Sequence, residues 1–323
     1  MPRPLVSVVI PVHNEEENLP IFYERLRAAF EGQGYRTEFI FVEDESTDRT
    51  LDVLKDLMQR DPRVKVLILS RSFGQWAAIT AGIHEAKGDF IAWISADLQD
   101  PPELLPELVQ RAREGYDVVW GVRSTREDPL WRRLAARIFY RILRRVALPN
   151  YPSLGTDLCC MSRRVAEEFK RLEERNRFTQ GLIMSLGFAQ TFVPYERQAR
   201  LRGKSSWNQL EKLMTIGLDM IISFSYKPLR WMLYLGLLLA GFSIALAFYA
   251  LFSLFILRAT IPGWTSLMII ITLFGGLNAM MLGILGEYIW RILQEVKRRP
   301  LYIIKKKLEP ATSQEKGEND VED

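Results

Sequence analysis

Four side chains carrying donor oxygens crowd positions 95–100 of the stretch WISADLQDPPEL, residues 93–104: Ser95, Asp97, Gln99 and Asp100. An apolar run, Phe90 to Ile94, stops where they begin, and Pro101-Pro102 opens the next segment. A polar turn at a strand end would have this composition. So would a cation site placed where phosphates arrive, because magnesium takes one or two carboxylates and completes its shell with phosphate oxygens and water. Asp100, directly before two prolines, has the position of a helix N-cap.

The same punctuation recurs along the first part of the chain. His13-Asn14-Glu15 follow the apolar run 5–12, Glu43-Asp44 close 38–44, and Arg71 follows 64–70, as Asp97 and Gln99 follow 90–95; a fifth apolar run spans 118–123. Together with 90–95 these runs are predicted strands, and Glu16–Phe30, Asp48–Gln59, Gly74–Ala86 and Pro101–Arg113 carry helical spacing between them. Nearly continuous apolar strands separated by helices predict an α/β domain with a largely parallel sheet covered on both faces. Ligands of such sheets bind beyond the carboxyl ends of the strands, where these polar groups gather.

Several chemistries find no support. No G-x-G-x-x-G follows a strand, and no G-x-x-x-x-G-K-[ST] phosphate loop or nucleophile elbow is present. The two histidines, His13 and His84, cannot build a zinc cluster without cysteine help. Cys159 and Cys160 are adjacent, cannot staple a fold, and suit packing in a reducing compartment.

The chain has 323 residues, a net charge of +4 and 48% hydrophobic residues. Its mean hydropathy of −0.04 hides a division along the sequence. Residues 231–257 and 259–286 contain no charge, and Arg258 alone separates them. Each exceeds the roughly 20 apolar residues that span a bilayer. Basic residues flank the pair on one side: Lys227 and Arg230 before, then Arg291, Lys297, Arg298, Arg299 and Lys305 to Lys307 after. The positive-inside rule therefore predicts both termini and the head in the cytoplasm. The start, MPRPLVSVVIPV, enters a strand pattern directly, with no signal peptide expected.

VSVVIPVHNEEENL, FVEDESTDRT, LSRSFGQWAAITAG, ADLQDPPEL and LGEYIWRILQEVKRRPLYIIK together resemble the polyprenyl-phosphate glycosyltransferases of family 2, related to dolichyl-phosphate mannose synthase. The resemblance covers nearly the whole chain up to about residue 308. It implies a GT-A head over 1–226, two transmembrane helices within 229–288 (about 231–257 and 263–286), and a basic juxtamembrane segment with a charged tail over 289–323. The implied reaction is inverting, metal-dependent transfer of one sugar from a nucleotide donor, UDP-linked by preference, to undecaprenyl phosphate at the cytoplasmic face of a bacterial inner membrane. A processive polysaccharide synthase and an inactive membrane scaffold of the same fold are the alternatives.

The sequence departs from the family pattern at four places. Ser95 replaces the first aspartate of D-A-D, Glu45 the glycine of D-G-S, Cys159 an arginine found in a subgroup, and Ser206 a lysine. By resemblance, Asp97 and Gln99 hold Mg2+ or Mn2+; Pro11, Asn14, Glu15, Glu43, Asp44 and Gly74 form the nucleotide edge. Asp157 orients sugar or acceptor, and Arg123, Arg132, Arg133, Arg200 and Ser205 receive the acceptor phosphate, with Asp97, Asp157, Arg123 and Arg200 as the catalytic set. The acceptor is already anionic near neutral pH, so it needs little general base. Arginine forks suit its phosphate.

The stretch 128–148 places Trp131, Leu134, Ile138, Phe139 and Ile142 on one helical face and six arginines on the other. Such a helix lies in the membrane interface. An arginine stripe also suits nucleic acid, but beside two spans and without a separate basic domain, no nucleic-acid partner is expected. A second amphipathic segment, about 208–228, leads into the first span. Gly275, Gly276, Asn278, Gly283 and Gly286 give the second span a small polar stripe that permits a homo-oligomer. Some relatives in the resembled family form tetramers.

Overall fold

The computed structural model describes residues 3–124, 141, 156–174, 179–197, 227–255 and 263–310. The chain divides into two compact units, Met1–Lys212 with Arg299–Asp323, and Leu213–Arg298.

In the first unit the five predicted strands form within two residues of their expected bounds: β1 Leu5–Val12, β2 Arg36–Glu43, β3 Val64–Leu69, β4 Phe90–Trp93 and β5 Val118–Arg123. Helices α1 Leu19–Phe30, α2 Thr50–Arg60, α3 Gln75–Glu85 and α4 Leu105–Arg113 alternate with them, α4 following a 3-10 turn at Pro102–Leu104. Three further strands complete an eight-stranded sheet: β6 Thr156–Ser162, β7 Gln190–Tyr195 and β8 Ile304–Leu308, in the order β7-β5-β6-β4-β1-β2-β3-β8. Helix α5 Arg163–Lys170 follows β6, and α6 Thr179–Ser185 precedes β7.

The sheet is mostly parallel with two antiparallel insertions. β1 pairs in parallel with β2 and β4, β2 with β3, and β5 with β7. β6 runs antiparallel between β4 and β5, and β8 antiparallel along β3. The consequence for function is geometric. Reversing β6 brings its first residues, Thr156 and Asp157, to the edge where β4 and β5 end. The parallel β7 delivers Tyr195 beside Arg123 at that same edge.

Both faces are buried over the central strands β1, β2, β4 and β6, which is why these are mostly apolar rather than alternating, whereas the edge strands β7 and β8 are partly exposed. Val6, Val8, Ile10, Phe39, Phe41 and Val119 are fully buried on one face with α1 and α4 residues such as Phe22, Leu26 and Leu108. Trp93 and Trp120 meet edge to face at 5.8 Å across β6, and both are essentially inaccessible. Helix α3 lies so close to β1 that a Cβ on Gly82 would come within 2.2 Å of Val9 Cγ1. Cys159 and Cys160 are fully buried on β6 and unbridged, and burial pushes both thiols up.

The second unit holds α7 Lys227–Phe255 and α8 Trp264–Val296. Among the described residues, one stretch, Leu273–Val296, is long and apolar enough to cross a membrane; Leu229–Leu239 is a shorter apolar run. The second expected span, 263–286, coincides with α8 from its N-cap Gly263 onward, and the helix continues ten residues beyond it. A Cβ added at Gly275, Gly276, Gly283 or Gly286 would meet nothing within 4 Å among the described residues. The expected interfacial helices, about 128–148 and 208–228, lie outside the described residues apart from Arg141 and residues 227–228. Within the segment expected as a juxtamembrane tail, Ile304–Leu308 forms an edge strand of the first unit instead.

Candidate active site

An open cleft lies beyond the carboxyl ends of β1, β2 and β4, lined by Pro11, Val12, His13, Glu15, Asp44, Gln75, Ala78, Ser95, Ala96 and Asp97. Its floor is tied by side chains reaching across loops. Asn14, at φ 55, donates its N–H to Ser46 Oγ at 3.1 Å, and its Oδ1 accepts from Thr47 N at 2.7 Å. Glu15 donates its N–H to Thr50 Oγ1 at 2.8 Å, while its carboxylate accepts from Asn18 Nδ2 at 2.6 Å. Glu43, almost fully buried, accepts the Ser46 N–H.

Asp44 is the principal fastener. Its carboxylate accepts from Phe73 N at 2.7 Å, Gly74 N at 2.8 Å and Ser72 Oγ at 3.0 Å. Three of its four lone-pair positions therefore hold the 72–74 loop, and one remains for a ligand. Gly74 sits at φ 89 and ψ 161, a conformation nearly restricted to glycine, as the residue that starts α3. Glu45, where the family pattern has glycine, also adopts φ 58, and its carboxylate accepts Ser72 N at 2.9 Å. A local hydrogen bond thus offsets part of the left-handed cost of a side chain here.

Ser95 does not point an empty hydroxyl at the cleft: its Oγ accepts from Gln75 Nε2 at 2.9 Å. Leu98, buried and at φ 58, turns the chain so that Gln99 N donates to Asp97 Oδ1 at 3.2 Å. Gln99 is half-buried beside Asp97 and does not line the cleft.

Asp97 also faces a second group of charges. Arg197 Nη2 lies 4.0 Å from Asp97 Oδ2 and 3.7 Å from Asp157 Oδ2, and its Nε lies 3.4 Å from Asp100 Oδ1. Arg123 is ion-paired with Asp157, and Tyr195 OH donates to Asp100 Oδ1 at 2.6 Å. Asp157 is further located through its carbonyl, which accepts Trp93 Nε1 at 2.9 Å. Burial pushes the Asp100 carboxyl up from its ordinary value, against the pull of Arg197 and the Tyr195 hydroxyl. Burial, and then Arg197 nearby, lower the Arg123 guanidinium.

One expectation is corrected here. Asp100 caps no helix: Pro101 occupies the N-terminal position of the 3-10 turn, without a side-chain cap, and the Asp100 carboxylate is 1% exposed within the ion cluster. A buried carboxylate needs charged or hydrogen-bonding partners, and Tyr195 and Arg197 provide them. The structure brings Asp97, Asp157 and Arg123 together around Arg197, with Pro11, Asn14, Glu15, Glu43, Asp44 and Gly74 along the neighbouring edge. Arg132, Arg133, Arg200 and Ser205 lie outside the described residues. Arg197 and Tyr195 were missed from the sequence. Their signal was the QTFVPY run ending in Tyr195-Glu196-Arg197, the same strand-then-polar punctuation as elsewhere.

The donor set can be tested against a divalent cation. Among the described residues no group of three or more His, Cys, Asp or Glu is arranged to hold a metal. Glu15 and Asp44 also line the cleft, but their carboxylates accept from Asn18 and from the 72–74 loop; Asp97, beyond the end of β4, fits a cation shared with a diphosphate and not a self-sufficient protein cage.

The model of the family described as "Glycosyl transferase family 2" matches residues 7–170. The chain is 41% identical over 301 residues to an uncharacterized glycosyltransferase, YkcC, of Bacillus subtilis, covering 93% of each. It is 38% identical over 302 residues to the SfII prophage-derived bactoprenol glucosyl transferase of Shigella flexneri, covering 93% of this chain and 97% of that one. Among solved structures, mannosyl-3-phosphoglycerate synthase from Rubrobacter xylanophilus superposes with a TM-score of 0.50 at 19% identity, over 68% of this chain and 72% of the other, a likeness of fold.

Proposed function

The chain belongs to glycosyltransferase family 2, and on that premise we propose that it moves one sugar from a nucleoside-diphosphate donor, a UDP-sugar, onto polyprenyl phosphate at the cytoplasmic face of a membrane. It has a GT-A α/β head and is a glycosyltransferase. The polyprenyl acceptor is supported by relatives named bactoprenol glucosyl transferases that match over nearly their whole length. The observation that carries the proposal is that Asp97 belongs both to the cleft and to the charged cluster of Arg123, Asp157 and Arg197.

In this assignment the nucleotide lies along Pro11, Asn14, Glu15, Glu43, Asp44 and Gly74, with the last lone pair of Asp44 available to a base N–H. Asp97, with Gln99 beside it, would hold Mg2+ or Mn2+, which neutralises charge on a departing diphosphate. Arg123 and Asp157 position the acceptor phosphate and sugar where the first meets the anomeric carbon. That phosphate is anionic at neutral pH, with a second pKa of about 6, so Asp157 is a positioning group and not an obligatory base. A single displacement by the acceptor inverts the anomeric centre. Arg132, Arg133, Arg200 and Ser205 are assigned to the acceptor headgroup.

The same proposal places two spans, about 231–257 and 263–286, in a bacterial inner membrane, with both termini cytoplasmic and interfacial helices at about 128–148 and 208–228. Self-association would use the glycine stripe of α8.

The test is transfer of label from a panel of UDP- and GDP-sugars to undecaprenyl phosphate by full-length protein in detergent, with Mg2+ or Mn2+ and an EDTA control. Label entering the organic phase from one donor, and stopping with EDTA, is the expected result. Transfer only to a growing polysaccharide would overturn the acceptor, and transfer undiminished by EDTA would overturn the metal.

A further inference from the structure

We infer that Arg197 is a resident counter-cation of the site: its guanidinium stands against Asp97, Asp100 and Asp157 and yields Asp97 when a divalent ion arrives. This rests on the assignment of the metal to Asp97.

Three carboxylates converge on Arg197, at 3.4, 3.7 and 4.0 Å, and the other guanidinium of the cluster, Arg123, is committed to Asp157. Asp100 is 1% exposed and has its own donor in Tyr195 OH at 2.6 Å. Asp97 is different. Its carboxylate side chain is 13% exposed, so a bare anion there carries a desolvation cost unless a cation stands near. Arg197 supplies that cation, but loosely. All three separations exceed the 2.7–2.9 Å of a direct charge-assisted hydrogen bond, so the guanidinium is shared among the acids and locked to none.

The position of Arg197 in the chain suits this role. It stands two residues beyond the end of β7, whose register beside β5 fixes Tyr195 opposite Arg123. The backbone is therefore anchored while a long side chain reaches into the cluster. A metal held by the Asp97 carboxylate and the Arg197 guanidinium 4.0 Å from it would repel each other. Binding of the ion then has to displace Arg197 toward Asp100 and Asp157, and toward the phosphates that accompany the metal. This accounts for a carboxylate edge in which no three acids are arranged as a metal cage among the described residues: the site's own arginine keeps it neutralised until donor and metal arrive together.

The experiment is a titration of full-length protein with Mn2+ alone, without nucleotide, read by the loss of free-ion electron paramagnetic resonance signal. Arg197→Gln removes the charge and keeps a polar side chain of similar reach; Arg197→Lys keeps the charge. The expected result is Mn2+ binding roughly threefold to fivefold tighter in Arg197→Gln than in wild type, the scale of one partly exposed charge interaction, with Arg197→Lys close to wild type. Transfer from donor should fall in Arg197→Gln and recover in Arg197→Lys. Unchanged, weaker or undetectable Mn2+ binding in Arg197→Gln overturns the inference, because a purely structural arginine would loosen the site. Asp97→Asn is the control for the underlying assignment. If Mn2+ binding by Arg197→Gln survives the added Asp97→Asn change, the metal is not at Asp97, and the metal assignment fails independently of Arg197.

Discussion

Asp97 and Gly74 illustrate how single residues carry this site. Asp97 contributes one carboxylate to two neighbourhoods, so its replacement disturbs donor and charge cluster together. Gly74 contributes backbone only: at φ 89 and ψ 161 it lets its N–H and that of Phe73 reach the Asp44 carboxylate at 2.8 and 2.7 Å while α3 begins. The added Cβ of Gly74→Ala would meet no atom within 4 Å, so any penalty is conformational and not steric. The expected outcome is a loss of about 1–3 kcal/mol of stability, measured by chemical denaturation, with weaker UDP binding by calorimetry as the loop leaves Asp44. Unchanged stability would show that the backbone tolerates a side chain there. Glu45 shows the contrasting solution, a non-glycine left-handed residue held by its bond to Ser72 N.

At the scale of elements, the edge of the sheet opposite the site is stitched by one buried acid. Glu38, on β2, accepts from Ser7 Oγ of β1, from Lys65 Nζ of β3 at 2.9 Å, and from Lys87 N ahead of β4 at 2.8 Å. Gly88 N in turn donates to Ser7 Oγ at 2.7 Å, and a Cβ on Gly88 would lie 2.5 Å from that oxygen. Burial pushes the Glu38 carboxyl up, but the Ser7 hydroxyl, the Lys65 ammonium and the Lys87 N–H outweigh it, and the net shift is downward from 4.5. The sign follows from linkage: a carboxyl depressed in the folded state stabilises above its unfolded value and loses that contribution as pH falls through the lower folded value. Wild type should therefore lose its stability advantage over Glu38→Gln on acidification through and below pH 4.5, with the two melting curves separated at neutral pH and converging in acid. A gap independent of pH would remove the charge from the explanation.

At the scale of the whole molecule, the chain leaves the first unit, forms α7 and α8, and returns to the first unit at Arg299. There β8 covers the outer edge of β3. Ser70 N donates to Ile303 O at 2.8 Å, Tyr302 OH bonds His84 Nδ1 at 2.9 Å, and Lys307 pairs with Glu85 at 2.7 Å. An uncovered edge strand is a template for pairing with another chain. Truncation before residue 300 should lower the melting temperature and cause concentration-dependent aggregation in light scattering, whereas truncation after residue 310 should leave both as in wild type. Equal behaviour of the two truncations would mean that β8 only decorates the sheet.

The alternation of apolar runs and helical spacing was enough to place β1 to β5 and α1 to α4, because a doubly covered sheet writes a continuous apolar signal into each strand. It was enough, too, to mark Asn14, Glu15, Asp44 and Asp97 as strand-end groups on one edge, while Arg123 was singled out through the family resemblance. Local pattern could not reveal that β6 runs backwards. Strand direction depends on pairing partners far away in sequence, and that reversal is what sets Asp157 beside Arg123. The role of Asp100 was misjudged for the same reason, since two following prolines spoke of a helix cap while Tyr195 and Arg197, almost a hundred residues on, claimed its carboxylate. The residues that could do chemistry are thus written in the sequence at each strand end, but which of them face one another is decided by long-range pairing, the part of folding that no short window contains.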